Sequence, residues 1–253
     1  MKLKNKKDLS ALRASGRFLA ELLALLEKKV KPGVLLRELD CAAREYLKKA
    51  DARPAFLGYQ PEGAIEPFPA AICTSVNEQI VHGIPGSYVL VEGDILKIDA
   101  GVEYKKYFTD AAITISVGRV SSRASKLIAA TERALAEAIR AAKPGGHLGD
   151  VGAAVSRTLR GTGFRAVKGL TGHGVGFSLH EDPTVYNYGK RGEGMVLRPG
   201  LVIAIEPMVS AGSPEITAQP DGSYITRDGS LSAHVEHTVA ITEGGAEILT
   251  ERY

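Results

Sequence analysis

The sequence predicts an α+β fold made of two related halves, roughly residues 8–118 and 119–250, within a single domain spanning 1–253. Two observations carry this. The order helix, Lys-Pro-Gly, helix, then strands occurs twice. Three short segments also recur in the same order, which indicates internal duplication. Lys31-Pro32-Gly33 through Leu39 parallels Lys143-Pro144-Gly145 through Val151. Val81-His82-Gly83-Ile84 echoes Gly172-His173-Gly174-Val175, and Leu96-Lys97-Ile98-Asp99 echoes Ile203-Ala204-Ile205-Glu206. Two halves of this kind favour a ligand site between them.

The elements follow in order. Leucines and Phe18 recur at helical spacing from Asp8 to about Val30, with Asp8 or Ser10 as the expected cap. Lys31-Pro32-Gly33 stops that helix, and a second runs from about Leu35 to Lys49. Proline and glycine make 53–70 a loop, and short apolar strands separated by turns fill Ala71 to Val117. Residues 123–142 form an alanine-rich helix, Lys143-Pro144-Gly145 ends it, and another covers about Leu148 to Leu159. Strands and turns return from Arg165 onward.

Composition narrows the class. Hydrophobic residues make up 44% and charged residues 24%, an ordinary globular balance. A net charge of +3 is too small to argue for a nucleic-acid protein. The cluster Lys2, Lys4, Lys6 and Lys7 reads as a solvated, frayed terminus. The charged start lacks a signal peptide's apolar stretch, and no apolar run reaches the roughly 18 residues of a membrane span. A cytoplasmic location is expected. Cys41 and Cys73 are too few for a disulfide framework or a four-cysteine zinc site, so both are expected as free thiols.

Four carboxylates stand within or at the ends of apolar strands: Asp99, Asp110, Glu206 and Glu236. A buried carboxylate is costly unless paired or bound to metal. If Tyr104-Lys105 is a two-residue turn, Asp99 and Asp110 face each other directly. Like charges in that position destabilise a sheet, and a cation between them is the simplest remedy. Three histidines lie in glycine- or turn-rich sequence: His82, His173 and His180. One imidazole with four carboxylates suits divalent cobalt, manganese, iron or zinc. Four negative charges exceed what one such ion balances; two ions about 3.5–4 Å apart, bridged by carboxylates, match them. No His-Glu-x-x-His helix, dinucleotide fingerprint, phosphate loop or serine elbow is present.

These motifs, with Leu12-Arg13-Ala14-Ser15-Gly16-Arg17, Ile72 to Glu78, Gly172-His173-Gly174-Val175-Gly176, His180-Glu181-Asp182-Pro183, Ile205-Glu206-Pro207-Met208-Val209 and Ser230 to Thr238, resemble the type I methionine aminopeptidases over residues 8–250. The resemblance implies a pita-bread fold around two divalent metal ions. It implies that Asp99 binds one ion, His173 and Glu206 the other, and that Asp110 and Glu236 bridge them. It implies that an activated hydroxide attacks the methionyl carbonyl while Glu206 handles the proton. His180 would contact the carbonyl oxygen and His82 the nitrogen side of the scissile bond. Tyr59, Cys73, Phe68 and Tyr224 would line the methionine pocket.

The implied substrates are N-terminal methionyl peptides and nascent chains with a small second residue, handled by a monomer without nucleic acid or membrane. A transient ribosome contact stays open. The sequence departs from the family at Thr171, Lys97 and Leu179, and in an apparent insertion at 61–67, which bears on selectivity. Prolidase-like peptidases of the same fold are the rivals within enzymes; they usually carry an additional N-terminal domain. A non-catalytic binding relative would have lost ligands, whereas all five stand here.

Overall fold

The computed structural model describes residues 3–60 and 66–252. The first half holds two helices, α1 (Lys6–Lys29) and α2 (Leu36–Lys49), then strands β1 (Arg53–Pro54), β2 (Ile72–Val76), β3 (Gln79–Val81), β4 (Ile95–Tyr104) and β5 (Tyr107–Ser116). The second half opens with α3 (Ser122–Ala141) and α4 (Leu148–Leu159). Strands β6 (Arg165–Ala166), β7 (Gly172–Gly174), β8 (Glu181–Val185), β9 (Val202–Ile205) and β10 (Met208–Ser210) follow. The chain ends with β11 (Ile216–Ala218), β12 (Tyr224–Thr226), β13 (Ser232–His234), β14 (His237–Thr242) and β15 (Gly245–Ile248).

Helix α1 begins earlier than the apolar spacing suggested. Asn5 is its cap: its side-chain oxygen accepts from the backbone N–H groups of Lys7 and Asp8, and Asp8 accepts in return from the Asn5 N–H. Such a reciprocal box is worth about 1 kcal/mol, and it places Asp8 as the third helical residue rather than the cap. Ser10 lies inside the helix. Lys4, expected in solvent, is buried.

Each half has its own core. Leu19, Leu22, Leu23 and Leu26 of α1, with Leu39, Ala43 and Leu47 of α2, pack on Ile72, Leu96, Ile98 and Val102. Leu127, Leu135, Val151 and Val155 of α3 and α4 pack on Leu201, Ile203, Ile205 and Val239. Burying one such side chain fully contributes about 1.5–3 kcal/mol. The backbone matches across the halves. The N–H of Gly33 donates to Leu90 and that of Gly145 to Leu197, both at 2.8 Å; Leu36 donates to Tyr88, and Leu148 to Met195. Gly33 (φ +91°) and Gly145 (φ +80°) turn the chain between helices in the left-handed region that glycine adopts without steric cost.

Strand β4 is central to the first sheet, with β5 on one side and β1 and β2 on the other. The second large sheet runs β15-β14-β9-β7-β8. The β4–β5 turn is Lys105-Lys106, one residue later than expected. Both have positive φ, 50° and 68°, as a twist-matched two-residue hairpin requires. Tyr104 therefore pairs with Tyr107, Asp99 with Ala112, and Asp110 with Gly101. Asp99 and Asp110 are diagonal neighbours on one face, not directly opposed. Both strands run ten residues, longer than the short strands expected there.

A seam joins the halves where β5 meets β13 and β14. The Thr238 hydroxyl donates to the Asp110 carbonyl (2.7 Å) and accepts from the Asp110 N–H (2.8 Å). Four residues on, the Thr114 hydroxyl treats the His234 carbonyl and N–H in the same way. Between them the Glu236 N–H donates to the Ala112 carbonyl at 2.9 Å. Two threonines thus replace ladder bonds between strands, and their partners are residues of the cleft.

Candidate metal centre and substrate cleft

The seam, β4, β7 and the end of β9 bring the five expected ligands together. Asp99 and Asp110 project from β4 and β5. Glu206 follows β9, Glu236 lies between β13 and β14, and His173 is on β7. Donor atoms of Asp99, Asp110 and Glu236 all lie within 4.8 Å of one another, as do those of His173, Glu206 and Glu236. His173 Nε2 lies 3.5 Å from Glu206 Oε1 and 3.8 Å from Asp110 Oδ2. Asp110 Oδ1, Asp99 Oδ1 and Glu236 Oε1 are buried and make no hydrogen bond. Buried carboxylate oxygens without partners are expensive, and such a convergence fits divalent cations.

Electrostatics agree. Burial, foremost, raises the pKa of Asp99 and of Glu206 to about 7. Burial, then the neighbouring carboxylates, raises Asp110 and Glu236 well above the usual range. Four acids held this way resist ionising together until positive charge joins them.

Glycines shape the floor. A Cβ on Gly172 would come within 2.4 Å of the Ala204 carbonyl oxygen, and one on Gly174 within 2.1 Å of the Asp182 carbonyl oxygen. Only glycines let β7 run between β9 and β8 with His173 aimed at the acids. A Cβ on Gly101, opposite Asp110, would strike Phe56 and Ala55 and fill the adjoining pocket.

That pocket gathers Cys73, Phe56 and Leu179 with Tyr59, Phe68, Ala55 and Phe108. Three of the four expected pocket residues, Tyr59, Phe68 and Cys73, are thereby brought together. Tyr224 is placed elsewhere: its ring packs edge-on to His82, 5.8 Å between centroids, and joins the cluster of Ile80, Val81 and Met208. Of the apparent insertion at 61–67, residues 61–65 lie outside the described residues. Its flanks close on each other, with Phe68 N–H to Tyr59 carbonyl and Gly58 N–H to Phe68 carbonyl. Burial, first of all, pushes the Cys73 thiol pKa well up, so the thiol is neutral.

His180 stands at the mouth, just before β8, with its ring 4.3 Å from that of His173. Its Nδ1 is 2.6 Å from the Tyr59 hydroxyl. The side chain reaches solvent, yet desolvation by the surrounding protein, then the rings of His173 and His82, lower its pKa to about 3. His82 leaves β3 with φ 63°, an uncommon conformation for a non-glycine residue and one that marks strained functional positions. Its side chain also reaches solvent, yet desolvation by the surrounding protein, foremost, lowers its pKa as well.

Two residues beside Glu206 escaped the sequence reading, as did Phe56 in the pocket. His234 Nε2 lies 3.3 Å from Glu206 Oε2 and 3.9 Å from Glu236 Oε2, in a ring burial holds neutral at a pKa of about 4. The buried Asn187 donates to the Glu206 carbonyl at 2.9 Å. His234 had an available signal: it lies two residues before Glu236, the strand spacing that puts side chains on one face. Lys97, the family departure, is buried and donates to the Asn77 carbonyl at 2.7 Å.

Comparison with known proteins agrees with this geometry. Residues 10–243 match the model of metallopeptidase family M24. A methionine aminopeptidase of Clostridium perfringens is 44% identical over 249 residues, 98% of each chain. The crystal structure of methionine aminopeptidase from Thermotoga maritima superposes with a TM-score of 0.95 at 40% identity, covering 100% of both chains. A prolidase from Pyrococcus furiosus shares the fold alone: TM-score 0.77, 23% identity, 99% of this chain and 66% of that one. The shared architecture is the pita-bread fold.

Proposed function

This chain belongs to the methionine aminopeptidases of metallopeptidase family M24, and from that premise we propose how its cleft removes an N-terminal methionine. The observation that carries the proposal is the convergence of five donors with three unpartnered, buried carboxylate oxygens. Asp99, Asp110, His173, Glu206 and Glu236 would hold two divalent ions of the cobalt, manganese, iron or zinc kind, with Asp110 and Glu236 shared. Bound there, such ions act as Lewis acids toward the scissile carbonyl and make water nucleophilic at neutral pH.

The side chains supply the rest. Glu206 lies between His173 and His234 and is the group to take a proton from the attacking water and return it to the leaving nitrogen. The carbon–oxygen bond then forms and the carbon–nitrogen bond breaks with the proton accounted for. Tyr59 stays protonated because burial, first, raises its pKa, and in this reading its hydroxyl is assigned as the donor to His180 Nδ1, 2.6 Å away. That leaves the His180 proton on Nε2, where the neutral ring can donate to the carbonyl oxygen as negative charge develops. His82 serves the nitrogen side of the bond.

The methionine side chain would enter among Tyr59, Phe68, Cys73, Phe56 and Leu179. Each thioether–aromatic contact contributes about 0.3–1.5 kcal/mol. Leu179 gives its side of the pocket an aliphatic wall. The crowding of acids and histidines around the first peptide bond favours a small second residue and a free amine. The matched hydrogen bonds of the halves support a duplication with limits near 8–118 and 119–250 in one domain.

The test is peptide hydrolysis by metal-stripped protein after adding back single metals. Met-Ala and Met-Gly peptides should be cleaved, Met-Lys and Met-Phe poorly, and N-acetylated peptides not at all. Full activity without metal, or equal rates on proline-directed sites, would overturn the proposal.

A further inference from the structure

Lys4 sits in a lysine run, yet its side chain is 1% exposed. Its Nζ lies 2.7 Å from Glu181 Oε2 and 4.9 Å from the centre of the Phe177 ring. Its backbone N–H donates to the Gly200 carbonyl at 2.7 Å. Two glycines make the space: a Cβ on Gly176 would lie 2.5 Å from Lys4 Cε, and one on Gly200 would lie 2.7 Å from the Lys4 carbonyl oxygen. Both have positive φ, so substitution there is strained as well as crowded.

Glu181 is the other half of the device. Its Oε1 accepts from the backbone N–H groups of Phe177 and Ser178. One carboxylate thus ties the turn 177–181 from inside, and the lysine balances its charge. The turn carries Leu179, which lines the apolar pocket, and His180, whose Nδ1 meets Tyr59. A buried ion pair adds little net stability compared with an apolar pair, but breaking one leaves a charge unpaired. What this pair supplies is a fixed shape for the turn.

We infer that Lys4 is a positioning residue: the segment before α1 is a strap that, through Glu181, holds the 177–181 turn so that His180 meets the substrate carbonyl. The inference rests on the role proposed above for His180. It gives the N-terminal segment a part in catalysis, although that segment contributes no group to the cleft.

The test is a double-mutant cycle on kcat with a Met-Ala peptide and the manganese-loaded enzyme. Lys4→Met keeps the apolar stem and removes the charge. It should lower kcat about 10- to 100-fold, the scale of a roughly 1 Å misplacement. Manganese affinity by calorimetry should not change. In a His180→Ala background, Lys4→Met should add no more than about a twofold further loss, because its effect runs through a ring no longer there. Independent losses that multiply, as general weakening of the fold would give, overturn the strap. So does full kcat in Lys4→Met. If that variant fails to fold, Glu181→Gln reads the same coupling from the other side of the pair. If His180→Ala itself keeps full kcat, the assignment of His180 falls and the strap's route falls with it. If only Lys4→Met keeps it, the strap alone falls.

Discussion

Replacing Thr238 with valine isolates the seam between the halves. The side chain is buried, and valine keeps its shape while removing one oxygen. That oxygen satisfies both backbone groups of Asp110, at 2.7 and 2.8 Å. Its loss orphans a buried N–H and a buried carbonyl in one step. Each orphan costs about 1–3 kcal/mol, so Thr238→Val should destabilise the protein by about 2–4 kcal/mol, allowing for partial relaxation. In a domain of this size 1 kcal/mol moves Tm by about 2–4 °C, which predicts a fall of about 4–16 °C. Thr238→Ser keeps the hydroxyl and should lose far less. Urea unfolding of the metal-free protein measures the difference without contributions from bound ions. Metal affinity should also drop in Thr238→Val, because the oxygen holds the backbone of Asp110. A Thr238→Val variant within about 0.5 kcal/mol of the parent, the range of ordinary surface changes, would refute the seam.

Other outcomes follow from the same site. Near neutrality Asp99 and Glu206, held at about 7, are about half protonated in the free cleft and Asp110 and Glu236, raised well above the usual range, more so, whereas the metal-bound forms are not. Metal uptake should therefore release protons at about pH 6.5 and fewer at about pH 8.5, as calorimetry in buffers of different ionisation enthalpy would show; equal release at both would contradict the burial argument. Asp110→Asn should abolish peptidase activity and weaken metal binding, and a variant with parental metal affinity would remove Asp110 from the ligand set. His82→Ala should hold metal nearly normally while losing about 10²–10⁴-fold in kcat, the usual worth of a positioned proton donor or hydrogen-bond partner. His173→Ala should lose metal affinity as well, and the reverse pattern would exchange the two roles.

What was legible in the sequence was local. Leu35 to Lys49 and Leu148 to Leu159 are helices within one residue of the apolar spacing, because leucine, valine and alanine periodicity depends on near neighbours. The acids stood out because charge interrupts runs such as Ile95 to Ile98. What was not legible depended on distant partners or on turn chemistry without a strong signal. Nothing in Lys2 to Lys7 says that one lysine of four finds Glu181, 177 positions away. Lys105-Lys106 adopts positive φ without glycine or asparagine, so sequence alone places the turn one residue early and sets the aspartates face to face. The diagonal arrangement keeps both on one face, because a displaced turn that shifts the register by two residues preserves the side-chain alternation of a strand. A cation can therefore lie between the two carboxylates in either register.

The two similar His-Gly motifs stand in two different settings. In the second half, β7 lies between β8 and β9, and its glycines bring backbones close enough that His173 faces Glu206. In the first half the corresponding stretch pairs outward, β3 with β12 of the other half. The chain turns at His82 with positive φ, and Gly83 is held against the Thr74 carbonyl, where a Cβ would come within 2.2 Å. His82 is thus aimed by a third sheet and packs on Tyr224 instead of an acid. With His173 and four carboxylates already assembled, a second ligating imidazole would occupy a position that water and substrate need. The pairing partner of each strand, not the His-Gly sequence itself, separates the imidazole proposed as a cation ligand from the one proposed for the peptide nitrogen.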